Sequence, residues 1–97
     1  MTSDLFDLTG GKALVTGSSM GIGLALARGL AAHGAAVVVN GRNRDRAEAA
    51  AEAIRAAGGQ ATASCFDVTD AGAVNAAGAE IEAEGPVSIL VNNAGMQ

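Results

Sequence analysis

Three glycines, at 17, 21 and 23, follow the short apolar run KALVT (12–16) and lead straight into the apolar stretch IGLALARGL. The chemistry such a spacing serves is anion binding. Where a strand turns tightly into a helix, the helix's first N–H groups have no carbonyl partner, and they converge with the positive end of the helix dipole. A Cβ at the turn would hold a phosphate away from the backbone, and glycine also takes up backbone angles that other residues resist. Ser18 and Ser19 stand between the first two glycines and bring hydroxyls that would bond a phosphate or cap the helix; Met20 and Ile22 complete the turn. The spacing is G-x-x-x-G-x-G. Taken bare, it serves equally well as a tight strand–helix turn with no ligand.

Further candidates lie at the ends of later apolar runs. NGRN (40–43) follows AAVVV, and ligands of open α/β sheets lie beyond the carboxyl ends of the strands. An acidic residue there would accept from an NAD ribose hydroxyl. This chain has Asn40, then Arg42 and Asn43, and a guanidinium pairs with a 2′-phosphate, which favours NADP over NAD. Arg42 as a solvated residue opening a helix is the plainer alternative. Asp67, followed by Val68, would accept from an adenine amino group, or serve as a second capping residue beside Asp70. Asn92 and Asn93 precede Ala94 and Gly95; small residues let a ribose lie close to the main chain, and Asn amides tie strand ends together.

These residues need elements to place them. KALVT predicts a first strand ending at Gly17. Residues 21–33 predict a helix with Ile22, Leu26 and Leu30 on one face, Ala25 beside them, and Gly34 as its C′ residue. AAVVVN (35–40) reads as a strand buried on both faces. RNRDRAEAAAEAIRAAGG (42–59) reads as a helix with one solvated face, and QATASCFDV (60–68) as a third strand. Asp70 is placed to N-cap a third helix whose Val74, Ala77 and Ile81 share a face, weakened by Gly72 and Gly78. PVSILVNNAG (86–95) predicts a fourth strand. The order β-α-β-α-β-α-β, with short connections, predicts an α/β fold: one domain with a parallel sheet and helices on both faces.

Composition excludes several classes. The chain has 97 residues, 49% of them hydrophobic, and a formal net charge of −4 with scattered basic residues. That argues against a nucleic-acid footprint, as does an aromatic content of two phenylalanines, Phe6 and Phe66. A lone cysteine, Cys65, allows no intramolecular disulfide and no thiolate metal cluster; a small buried hydrophobe is its simplest role, and a reducing, cytoplasmic setting follows. No metal ligand set is expected. MTSDLFDLTGGK has acidic residues and no apolar segment, unlike a secretory signal. No apolar run approaches the roughly 20 residues a membrane span needs. His33, at a predicted helix end, reads as a partner for the last carbonyls.

Taken together, TGSSMGIG (16–23), DV (67–68) and NNAG (92–95), in this order and at these separations, resemble the short-chain dehydrogenase/reductase family from about Leu5 onward. The N-terminal stretch is similar to the gluconate 5-dehydrogenase and 3-oxoacyl reductase branches of that family. The resemblance implies a partial Rossmann-type sheet of about four strands in the order 3-2-1-4, and a nicotinamide dinucleotide as partner. It implies that Gly17, Ser19, Gly21, Ile22 and Gly23 surround the pyrophosphate and adenosine ribose, with Ser18 and Met20 completing that turn. Asn40 and Arg42, with Asn43 beside them, would meet the 2′-phosphate. Asp67 and Val68 would hold the adenine. Asn92, Asn93, Ala94 and Gly95 would lie along the ribose and support the sheet.

The implied reaction is hydride transfer between NADP(H) and a carbonyl or alcohol carbon of a small molecule such as a sugar acid, in an enzyme that usually forms homotetramers. Family enzymes use a Ser, a Tyr-x-x-x-Lys pair and a further Asn around the reacting oxygen, because a proton must move with the hydride. This chain has no tyrosine, and its single lysine, Lys12, stands at the start of the first strand. No catalytic residue is therefore assigned. Met20 also stands where many NADP-using relatives carry a basic residue, so discrimination would rest on Arg42. Two expectations follow: the N-terminal, dinucleotide-binding part of an NADP-dependent oxidoreductase, inactive as 97 residues, or a nucleotide-binding or interaction module without chemistry.

Overall fold

The computed structural model describes residues 8–93; residues 1–7 of the N-terminal stretch read for a leader, Phe6 among them, and Ala94 and Gly95 lie outside the described residues. The elements run β1 (Lys12–Thr16), α1 (Gly21–Ala32), β2 (Ala36–Gly41), α2 (Arg44–Ala56), β3 (Gln60–Cys65), α3 (Ala71–Ala83) and β4 (Ile89–Asn92). The four strands form one parallel sheet in the order β3-β2-β1-β4. Register brings Val15 opposite Val39 on one side and Val91 on the other, so β1, β2 and β4 end close together. The fold is the Rossmann-like α/β arrangement expected from the sequence.

Pleating sorts the strand residues. Ala13, Val15, Val37, Val39 and Ala61 face α1 and α2, and pack there with Ala27, Ala31, Ala50, Ala51 and Ile54. Val38, between two of these, is also buried, at 4% exposed, so β2 is covered on both faces as its unbroken apolar run predicts. On the opposite face, Leu14 and Leu90 border a hollow of about 430 Å³ whose other wall carries Val74 and Gly78 of α3. Leu90, on the edge strand, is 67% exposed.

α1 does not bury the stripe its large residues suggest. Ile22 is 72% exposed and Leu26 is 39% exposed, while the buried line is Gly23, Ala27 and Ala31. The physical reason is distance. A helix seated this close to the sheet leaves room beneath it only for small side chains, and Leu24 and Leu30 fill the flanks, partly buried. α3 departs in the same way: Ala77 and Ile81 are buried, but Val74 is 36% exposed.

The caps are largely those the sequence predicts. The Asp70 carboxylate accepts from the Ala73 N–H at 3.1 Å, and Gly34 N–H donates to Ala31 O just past α1. One partner lies far away in sequence: the Lys12 ammonium, at the start of β1, donates to the Ile81 carbonyl and, at 3.2 Å, to the Gly85 carbonyl, closing the C-terminal end of α3. Among the described residues no helix is long and apolar enough to cross a membrane.

Candidate functional site

The site is built at the carboxyl edge of the sheet, where β1 turns into α1. Gly17 and Gly21 have φ of 60° and 62°, the left-handed region that favours glycine. α1 starts at Gly21 after an extended Met20, and no side chain caps it. Its first N–H groups are thus left without intrahelical carbonyls, at the positive end of the dipole. The Ser18 and Ser19 hydroxyls do not cap α1, contrary to one sequence expectation. A Cβ on Gly21 would meet nothing within 4 Å, so the backbone there is open to a ligand. Gly23 has the opposite requirement. A Cβ there would sit 2.2 Å from the Gly17 carbonyl oxygen and 2.7 Å from Asn93 Nδ2, so only glycine lets α1 approach the turn.

The turn is held from three sides. Ser18, fully buried, donates through its hydroxyl to the Val15 carbonyl at 2.6 Å and accepts from the Asn40 N–H at 2.9 Å. The Gly17 N–H donates to Asn40 Oδ1 at 2.9 Å, and Asn93 Nδ2 donates to the Gly17 carbonyl at 3.1 Å. Thr16, one residue earlier, donates through its hydroxyl to Asn92 Oδ1 at 3.2 Å. The two asparagines therefore tie the ends of β1 and β4 together, as their amides were expected to. No described buried side-chain nitrogen or oxygen lacks a partner.

Beside the turn lies an open cleft of about 280 Å³, walled by Gly17, Ser19 and Met20, by Gly41, Arg42, Asn43 and Arg46, and by Phe66 and Val68, with Asn40 in its floor. Arg42 is an exposed arginine whose guanidinium is 3.5 Å from the Asp67 carboxylate. Asp67 Oδ1 accepts from the Thr69 hydroxyl at 2.7 Å and the Thr69 N–H at 2.9 Å. These two bonds hold the Asp67 carboxyl below the usual carboxylate range; slight desolvation opposes them, and the Arg42 charge adds to them.

Most of the expected residues converge on this edge. Gly17, Ser19, Met20, Arg42, Asn43 and Val68 line the cleft, Gly21, Ile22 and Gly23 open α1 beside it, Asp67 joins through Arg42, and Asn92 and Asn93 brace it from β4. Several side chains are placed differently from their expected roles. The Ser18 hydroxyl and the Asn40 carboxamide, 0% and 2% exposed, are bonded inward. The Asn43 carboxamide caps α2, accepting from the Arg46 N–H at 3.0 Å. Cys65 is half-buried, not fully, and its thiol donates to the Arg42 carbonyl at 3.2 Å.

Three wall residues escaped the sequence reading: Gly41, Phe66 and Arg46. Asn43 held the missing signal for Arg46. With α2 capped there and starting at Arg44, Arg42 falls in the loop and Arg46 in the helix's first turn. That turn is where the helix dipole favours acids over cations, so an arginine in it is locally uphill.

The comparisons agree with this geometry. The short chain dehydrogenase family profile matches residues 11–97. Over 95 residues the chain is 54% identical to gluconate 5-dehydrogenase of Gluconobacter oxydans strain 621H, covering 97% of this chain and 37% of that protein. Over 96 residues it is 46% identical to 5-keto-D-gluconate 5-reductase of Escherichia coli K12, covering 98% and 38%. The fold is similar to a crystal structure of gluconate 5-dehydrogenase from Burkholderia cenocepacia J2315 in complex with NADP and tartrate, with TM-score 0.87 and 50% identity over 93% of this chain and 36% of that one. The chain spans little more than a third of the length of these relatives. With the profile matched from before β1 to Gln97, and the parallel sheet carrying the glycine turn at its carboxyl edge, the chain belongs to the short chain dehydrogenase family.

Proposed function

We propose that this chain supplies the NADP(H)-binding part of an oxidoreductase that interconverts a carbonyl and an alcohol on a sugar acid. The observation that carries the cofactor reading is the cleft in which the glycine turn, Arg42 and Arg46 share one wall system. The residues present fit a dinucleotide. The first N–H groups of α1 and the Ser19 hydroxyl suit a diphosphate, and two guanidiniums suit a 2′-phosphate. Phe66 and Val68 give an apolar wall for a base, and the Asp67 carboxylate, paired with Arg42, suits its amino group as an acceptor. Asn92 and Asn93 continue the same edge toward the ribose. The sugar-acid substrate rests on the relatives, two of which are named for gluconate or keto-gluconate chemistry.

Bound NADP(H) supplies the hydride. The chain's own residues bind and orient it. These 97 residues include no tyrosine, and their one lysine is bonded to the end of α3. Acid–base chemistry is assigned to residues outside these 97, in an enzyme that assembles as a homotetramer.

Isothermal titration of the protein with NADP+ and NAD+ tests the reading. A charge-assisted contact to phosphate contributes about 1.5–3 kcal/mol, so NADP+ is expected to bind about ten to a hundred times more tightly. Equal affinities, or tighter NAD+, would remove the phosphate role of the arginines; no binding of either would remove the cofactor reading.

A further inference from the structure

The residue in the floor of the cleft has a role of its own. Asn40 is the penultimate residue of β2, the middle of three adjacent parallel strands, and its carboxamide reaches both neighbours. Toward β1, Oδ1 accepts from the Gly17 N–H at 2.9 Å. Toward β3, Nδ2 donates to the Ser64 carbonyl at 3.2 Å and the Phe66 carbonyl at 3.1 Å. The Asn40 main chain completes the link, its N–H donating to Ser18 Oγ at 2.9 Å and its carbonyl accepting from the Ser18 N–H at 2.8 Å. Both amide donors and the amide oxygen are engaged, and the residue is 2% exposed.

Only one residue type of this size meets these demands. An aspartate would turn a second oxygen, and a buried charge, toward two carbonyl oxygens. A leucine would take the acceptor from the Gly17 N–H and the side-chain donor from the Ser64 and Phe66 carbonyls. The two features joined by Asn40 are opposite walls of the cleft: the glycine turn beginning at Gly17, and the Phe66–Val68 segment.

We infer that Asn40, clasped by Ser18, is a positioning residue that sets the distance between the phosphate-binding turn and the base-binding wall, and makes no contact with the 2′-phosphate. The inference rests on the reading of this cleft as a dinucleotide site. It separates Asn40 from Arg42, which stands two residues on and faces the open cleft.

The experiment is isothermal titration of the complete protein and its Asn40→Ala, Asn40→Asp and Arg42→Ala variants with NADP+, NAD+ and ADP. ADP carries the base, ribose and diphosphate without a 2′-phosphate. Both Asn40 variants are expected to weaken all three ligands by a common factor of about ten or more, because each leaves buried polar groups unpaired. The ratio of NADP+ to NAD+ affinity should stay within about twofold of wild type, whereas Arg42→Ala should lower NADP+ affinity alone. Loss confined to NADP+ in the Asn40 variants would make Asn40 a phosphate ligand and overturn the inference, as would unchanged binding of all three. Wild-type protein that binds none of the three ligands would instead overturn the dinucleotide reading, and this one with it. Should the variants fail to fold, amide exchange in the wild-type protein decides. The Gly17 N–H, in a turn outside any strand, is expected to exchange slowly; exchange at the rate of an open turn would show that Asn40 does not hold it.

Discussion

Arg42, a wall residue of the cleft, and Asp67, from just past the ends of neighbouring strands β2 and β3, meet at 3.5 Å. Both side chains are exposed enough for water to screen the pair, so its direct contribution to stability is small. Its consequence is positional. Arg42 lines the cleft together with Ser19 and Gly41, and Asp67 lies between the lining residues Phe66 and Val68 in the chain. Arg42→Asp should therefore shift cofactor preference from NADP towards NAD in the complete enzyme. Loss of a charge-assisted contact predicts about a ten- to hundredfold fall in kcat/KM with NADPH, with little change for NADH. An unchanged ratio of the two constants would show that Arg42 does not meet the phosphate.

Arg46 should behave as a weaker version of Arg42. Arg46→Ala is expected to reduce NADP+ affinity about three- to tenfold while leaving NAD+ binding intact, since it removes one of two guanidiniums. The same change takes a cation from the N-terminal turn of α2, so thermal stability should hold or rise slightly. A fall in both stability and NAD+ binding would point to a structural role.

Asp67 gives the acid limb of stability a definite sign. Its folded pKa is lowered, so its contribution is complete above the ordinary carboxylate value and is lost as pH falls through the folded value, below about pH 4. Urea midpoints measured downward from neutral pH should therefore fall less steeply for Asp67→Asn than for wild type in that range. Thr69→Ala should flatten the limb similarly, because the Thr69 hydroxyl is the largest cause of the shift.

The glycines of α1 and α3 should divide sharply on substitution. Gly23→Ala places a methyl 2.2 Å from the Gly17 carbonyl oxygen and is expected to cost about 3 kcal/mol or more, with loss of dinucleotide binding. Gly29→Ala and Gly78→Ala meet nothing within 4 Å and should each stabilise by about 0.5–1 kcal/mol. Chemical denaturation of the three variants measures the contrast directly.

The 97 residues alone should not oxidise NADPH in the presence of a keto-gluconate, followed by absorbance of the reduced cofactor. Turnover by the homogeneous chain would mean that some residue described here supplies the proton.

Much of this arrangement was legible in the residues. The strand and helix order follows from apolar runs broken by Gly17, Gly34, Gly41 and the Gly58–Gly59 pair. Parallel pairing follows from short crossovers that each carry a helix. The glycine turn was readable because its chemistry is local: a chain that must leave a strand, free its N–H groups and start a helix within a few residues has few ways to do so. Asp70 was visible as a residue able to cap, whereas only the fold shows that Asn43 spends its side chain on α2.

What the sequence determined by itself was therefore the element order, the sheet type and the place of the phosphate turn, all set by patterns within about a dozen residues. Tertiary structure decided the rest. It put Gly23, Ala27 and Ala31 under α1 in place of Ile22 and Leu26, because close seating on the sheet selects for small volume over hydrophobicity. It turned Asn40 inward to Gly17, Ser64 and Phe66, and it brought Arg46 and Phe66 to the cleft. Contacts between strands that are neighbours in space and 20 or more residues apart in the chain leave no periodic trace, since each depends on where its partner's backbone ends.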